Sequence, residues 1–236
     1  MPVYRIAELN IRIDPVTPQT EKRIAPYLCR SEEYDFDASV TADEIDNYMK
    51  KSKTPCLPYL AEDALVLTNI SKTVLSSYDG CFFHSSCLEM DGEGYLFTAL
   101  SGTGKSTHTR NWRRLFGDKV IMINDDKPLI RNIGGTFYVC STPWMGKSDI
   151  GCNRIAPVKA IYVLKRGETN TAVRTSPAKQ MRQLMEATLL PTSRENMIKL
   201  LGLFDALFTQ AKLIELYCNQ DIESAQVAYD AVCGEN

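Results

Sequence analysis

Residues 98–109 read TALSGTGKSTHT, and 20 positions after Lys105 the chain reads Asp125-Asp126. A Ser-Gly-x-Gly-Lys-Ser run has the chemistry of a polyphosphate cradle. Glycine lacks the Cβ that would hold a phosphate off the backbone, and it accepts positive φ. Successive backbone N–H groups at the start of a helix converge on an anion. Lys105 adds a mobile cation over the outer phosphate oxygens, and a hydroxyl from Ser106 or Thr107 can ligate Mg²⁺. Ser101, Gly102, Thr103, Gly104, Lys105, Ser106 and Thr107 are therefore the candidate nucleotide-binding residues. The opening glycine of the usual pattern is replaced by Ala99, and an L residue forced to positive φ costs roughly 1 kcal/mol more than glycine. Either the loop begins in ordinary backbone, or the stretch is a small-residue turn that happens to hold a lysine.

The elements on either side favour the cradle. Upstream, CFFHSSCLEM and YLFTAL flank Asp91-Gly92, a hairpin signal, so a strand delivers the chain directly into the loop. Downstream, STHTRNWRRLF has helical spacing of Trp112, Leu115 and Phe116 with Gly117 as a stop, and KVIMIN reads as a short buried strand ending at the acidic pair. Strand, glycine-rich loop, helix and strand in that order bring Asp125 and Asp126 to the carboxyl edge of a sheet beside the loop, where ligands of such sheets bind. Mg²⁺ needs a hard oxygen from the protein, and a nucleophilic hydroxyl needs a base; one aspartate can serve each need. Consecutive strand residues point to opposite faces, so the two cannot share one job unless the chain turns there. The two histidines, His84 and His108, both lie near the loop in sequence. His84 begins the strand leading to the hairpin and could reach the phosphates; His108, in the first helical turn, reads as a packing or capping residue.

Composition narrows the classes. The chain has 236 residues, 44% hydrophobic and 24% charged, enough for one large domain or one with a small appendage, and its net charge of −2 carries no footprint for nucleic acid. The first residues lack the apolar core of a signal peptide, and no apolar run approaches the roughly 18 residues of a membrane helix; a cytoplasmic protein with no membrane partner is expected. Eight scattered cysteines form no Cys-x-x-Cys pair, so reduced, mostly buried thiols are expected rather than a zinc ribbon or disulfide framework.

Elsewhere, VYRIAELNIRID alternates at period two as a half-buried strand. Thr41 with Glu44 three residues on forms a capping box, and Leu65, Leu67, Ile70 and Val74 mark a second helix. Residues 1–76 form an N-terminal strand and helix portion packed on a catalytic domain of residues 77–236. Gly134-Gly135 reads as a hairpin turn, followed by an irregular loop bearing Trp144, Lys147 and Arg154. PVKAIYVLKRG is another buried strand, SPAKQMRQLMEATLL and ENMIKLLGLFDALFTQA are amphipathic helices, and KLIELYC is a strand before a last helix near Asp221.

The residues FHSSCLEMDGEGYLFTALSGTGKST and VIMINDDKPLI resemble the carboxyl-terminal catalytic domain of HPr kinase/phosphorylase, in the superfamily shared with ATP-dependent phosphoenolpyruvate carboxykinase. In HPr kinases a histidine begins the strand before the loop at the interval that separates His84 from Ala99. The loop there reads Ser-Gly-x-Gly-Lys-Ser, and an Asp-Asp pair follows, the first acting as base and the second helping to hold Mg²⁺. The resemblance implies a mixed-sheet α/β kinase domain of this type with C-terminal helices. It implies Asp125, Lys105 and His84 as catalytic residues and Ser106 and Asp126 as metal ligands. It implies ATP and Mg²⁺ as cofactors, with transfer of the γ-phosphoryl group to a hydroxyl acceptor of serine type on a peptide, protein or small molecule; a homo-oligomer is an expectation apart from the resemblance, the oligomeric state not being fixed by the sequence. The chain departs from the HPr kinases at Thr107, where they carry Glu, and it shows no counterpart of their carboxyl-terminal signature, so it reads as a divergent member. The alternative is a nucleotide-binding sensor or a simple NTPase.

Overall fold

The computed structural model describes residues 1–100 and 103–234. In chain order the elements are β1 (Val3–Ile6), β2 (Leu9–Arg12), α1 (Pro18–Ile24), β3 (Leu28–Cys29), β4 (Phe36–Asp37), α2 (Ala42–Lys51) and α3 (Pro58–Ser77). There follow β5 (Gly80–Phe82), β6 (Ser86–Met90), β7 (Glu93–Thr98), α4 (Lys105–Phe116), β8 (Val120–Asn124), β9 (Leu129–Ile133) and β10 (Thr136–Cys140). The chain ends with β11 (Ile155–Arg166), β12 (Thr171–Arg174), α5 (Pro177–Glu186), α6 (Arg194–Gln210), β13 (Lys212–Cys218) and α7 (Glu223–Cys233).

The opening alternation is a hairpin and not one strand: β1 pairs antiparallel with β2 across Ala7 and Glu8, whose φ values are 51° and 60°. Neither residue is one that ordinarily marks such a turn, so the alternation runs through it unbroken in sequence. With β3 and β4 these strands form a small sheet in the order β3-β1-β2-β4. The capping box forms as read: Thr41 Oγ1 accepts from the Glu44 backbone N–H, and the Glu44 carboxylate accepts from the Thr41 N–H at 2.8 Å. Thr41→Ala should therefore cost about 1 kcal/mol, seen as a lower denaturation midpoint at unchanged slope.

The large sheet is mixed, in the order β5-β9-β10-β11-β7-β6-β8, with β13 on β11 and β12 on β13. β11 is its spine, parallel to β7 on one side and to β13 on the other. Both of its faces are covered. Ala160, Tyr162 and Leu164 pack with Trp112 of α4 and with Ala225, Ala228 and Val232 of α7, while Ile161 and Val163 pack with Leu200, Phe204 and Leu207 of α6. Such a strand reads as a continuous apolar run because neither face meets water. A third cluster joins Tyr4, Ile6, Ile11, Ile70 and Val74 to Phe82, Leu129 and Trp144, so the first 76 residues share a core with the strands that follow. The fold is mixed α/β, with seven α-helices among the described residues. No helix there is long and apolar enough to cross a membrane.

β6 lies between β7 and β8, antiparallel to both. The carboxyl ends of β7 and β8 and the amino end of β6 therefore share one edge. The loop after Thr98, the Asp125-Asp126 turn and His84 all emerge there.

Candidate functional site

Ser101 and Gly102 lie outside the described residues; the rest of the phosphate-loop motif is placed. Ala99 is buried in the cluster that holds Trp112 and does not take a positive φ, so the strain its replacement of glycine could have brought does not arise. The Thr103 N–H donates to Leu100 O at 3.1 Å, and Gly104, at φ 117°, turns the chain into α4, where a Cβ would be strained. Lys105 and Ser106 open the helix, with Thr107 half-buried beside them.

Two chains of contacts organise the edge. In the first, the Lys105 ammonium, which can only donate, gives a hydrogen bond to His84 Nε2 at 3.0 Å. The imidazole proton then sits on Nδ1, which faces Asp126 Oδ1 at 3.0 Å and Asp126 O at 3.0 Å. The other oxygen, Asp126 Oδ2, accepts from Lys127 Nζ at 2.5 Å. Burial works to raise the Asp126 pKa, but the His84 and Lys127 contacts outweigh it and bring it to about 2. Asp126 is thus held ionised, oriented toward the ring. Lys105 sits below the ordinary lysine value, because burial opposes its charge more strongly than Asp126 and Asp125 support it.

In the second chain, Asp125 Oδ2 accepts from Ser106 Oγ at 3.3 Å and from Ser148 Oγ at 2.5 Å, while Asp125 Oδ1 is buried with no hydrogen-bond partner. An orphaned, buried carboxylate oxygen beside a helix-initial serine hydroxyl is an all-oxygen corner suited to a hard divalent cation that draws its other ligands from phosphate and water. No group of three or more His, Cys, Asp or Glu side chains among the described residues could hold a metal by itself. The resemblance places Ser106 with Asp126 at a metal; in the structure the serine reaches Asp125, and both Asp126 oxygens are engaged elsewhere.

The sequence reading missed the residue that separates the two carboxylates. Asn124, fully buried, accepts through Oδ1 from the backbone N–H of Asp126 and of Lys127, each at 2.9 Å, and donates through Nδ2 to Thr142 O at 2.9 Å. This side-chain turn ends β8 one residue before the acidic pair, so strand alternation no longer governs where the carboxylates point. An Asn at a strand end is a turn signal; Ser148 gave no signal at all. Gly146, at φ 73°, presses on the other side of Asp126: a Cβ there would lie 2.9 Å from Asp126 Cβ.

Of the other candidates, His108, Trp144 and Arg154 are structural, while Lys147 is exposed on the 143–153 loop. His108 is buried, accepts at Nε2 from Trp112 Nε1–H at 3.0 Å and donates from Nδ1 to Ser224 Oγ at 3.4 Å. Trp144 is core, its indole N–H donating to Asp63 Oδ1 at 3.1 Å. Arg154 pairs with Glu89 on β6 at 2.9 Å. The cysteines are all free, and burial pushes the Cys140 thiol up to about 12 despite nearby Arg131, which leaves it unreactive.

Among solved structures the chain is similar to the Hpr(Ser) kinase/phosphatase from Coxiella burnetii, at 12% identity, over 64% of this chain and 95% of that one, with a TM-score of 0.36. No protein-family model matches the chain, and no curated protein matches it in sequence.

Proposed function

We propose that this chain is a phosphotransferase that uses ATP and Mg²⁺ to phosphorylate a hydroxyl acceptor. The observation that carries the reading is the convergence, on one sheet edge, of a helix-initial Gly-Lys-Ser, the unpartnered Asp125 oxygen beside Ser106, and the Asp126–His84–Lys105 chain. Backbone N–H groups of residues 101–106 and the start of α4 would hold the phosphates. Ser106 and Asp125 would hold Mg²⁺, which supplies charge neutralisation on the phosphoryl oxygens when bound. Lys105 is 3.0 Å from His84 in this structure; its move onto the phosphates frees the Nε2 lone pair, and His84, steadied by Asp126, takes the proton of the acceptor hydroxyl. Positioning and charge supply most of the rate, since phosphoryl transfer asks little covalent chemistry of the protein.

The test is incubation of the purified chain with Mg²⁺ and γ-labelled ATP in a cell extract, followed by identification of what carries the label. A labelled acceptor, lost with Lys105→Met, supports transfer. Release of inorganic phosphate at full rate without an acceptor makes the chain an NTPase. Tight ATP binding with neither outcome makes it a sensor.

A further inference from the structure

A cleft of about 890 Å³ opens between α1 and the start of α3 on one side and the 143–153 loop on the other, and Asp126 and Lys127 line it. That volume suits a small molecule. Its walls are fixed from beneath by two buried carboxylates of α3. Glu62 accepts from the Val16 and Thr17 backbone N–H groups at 2.6 and 3.0 Å just before α1, and Asp63 binds both Arg23 of α1 and the Trp144 indole. The cleft is therefore preformed and abuts the carboxylate that orients His84.

Its charge is uneven. Arg23 is committed to Asp63 and Lys127 to Asp126. Lys22 and Lys147, on opposite walls, have no hydrogen bond or ion pair among the described residues, against one uncommitted carboxylate, Asp149. Two unpaired ammonium groups lining one cleft, one from α1 and one from the 143–153 loop, can hold an acid group between them. We infer that this cleft is the acceptor site and that the acceptor is a small hydroxyl compound carrying a carboxylate or phosphate. The acid group is held by Lys22 and Lys147, and the hydroxyl is directed toward Asp126 and His84. This rests on the phosphotransferase reading. In the step, the acceptor oxygen bonds the γ-phosphorus as the bond to the β–γ bridging oxygen breaks. ADP leaves with that electron pair, and the hydroxyl proton passes to His84 Nε2.

Glycerate and glycerol 3-phosphate serve as anionic probes and glycerol as their neutral counterpart, read by calorimetry and by label transfer from Mg–ATP on the whole chain. Both anions should bind and take up label while glycerol does neither, and Lys22→Gln and Lys147→Gln should each weaken anion binding at least tenfold. Both lysines are exposed, so neither change threatens folding. Equal labelling of glycerol overturns the inference, as do variants that bind the anions unchanged. Displacement of the anions by ATP overturns it too, by giving the cleft to the nucleotide. Mg–ATP binding by the unaltered chain, measured in parallel, separates the two claims. If ATP binds and the anions do nothing, the cleft assignment alone falls; if ATP does not bind, the proposed function falls with it.

Discussion

Asparagine at Asp125 should raise the Mg²⁺ concentration needed for half-maximal phosphoryl transfer by about 10- to 100-fold, the scale of a lost metal contact, with ATP still bound by the loop. Asparagine at Asp126 should leave that requirement near the wild-type value and cut the maximal rate by about 10²–10⁴, the scale of a disabled proton acceptor. The distinction comes from geometry. Ser106 Oγ approaches Asp125 at 3.3 Å, and the second Asp125 oxygen is buried and unpartnered, whereas Asp126 spends its oxygens on His84 and Lys127. Mg²⁺ titrations of the two variants at saturating ATP decide the matter. Should the Mg²⁺ requirement move with Asp126 and not with Asp125, the roles implied by the resemblance stand and the geometric assignment is lost.

The largest effect on stability is expected on acidification below pH 6.5. His108 is 2% exposed, and burial lowers its pKa from the ordinary 6.5 to about 3. Its Nε2 must stay unprotonated to accept from Trp112, which can only donate. Between those two values the unfolded chain binds a proton that the folded chain refuses, so stability falls as pH falls, by about 1.4 kcal/mol per unit, and by about 3 kcal/mol at pH 4.5. Asp126, whose folded pKa is about 2, acts in a separate window: its contribution is present above the ordinary aspartate value and fades only as pH drops toward 2. Urea denaturation of the wild type and of His108→Gln, which keeps an acceptor for Trp112 but does not titrate, should therefore give curves that converge as pH falls from 6.5 to 4.5. Parallel curves would show that His108 protonates without penalty in the folded state.

How much of this was legible in the sequence depends on the range of the force involved. The hairpins at Asp91-Gly92 and Gly134-Gly135 were readable because their positive φ values call for such residues. The hairpin at Ala7-Glu8 was not, since its turn is enforced by the pairing of β1 with β2 and with the core beneath rather than by the residues that make it. β12 escaped notice because its four residues are mostly exposed and have only β13 to pair with. Trp144 could not be assigned from its loop, because its partner Asp63 lies 81 positions away on a helix whose apolar spacing hides a buried carboxylate.

By itself the sequence determined the order strand, glycine-rich loop, helix, strand, the capping box at Thr41, and a buried strand at PVKAIYVLKRG. These follow from backbone preference and from burial periodicity, which act over a few residues. Only the tertiary structure decided which aspartate meets Ser106, which way His84 is protonated, and that α1 and the 143–153 loop enclose a cleft beside them. Those outcomes rest on parts of the chain 18 to 125 positions apart: Asn124 bonds Thr142, His84 meets Asp126, and Lys22 of α1 lines the same cleft as Lys147. No local pattern encodes the distance or direction of such a contact, because it is set by how the finished sheet and its covering helices pack.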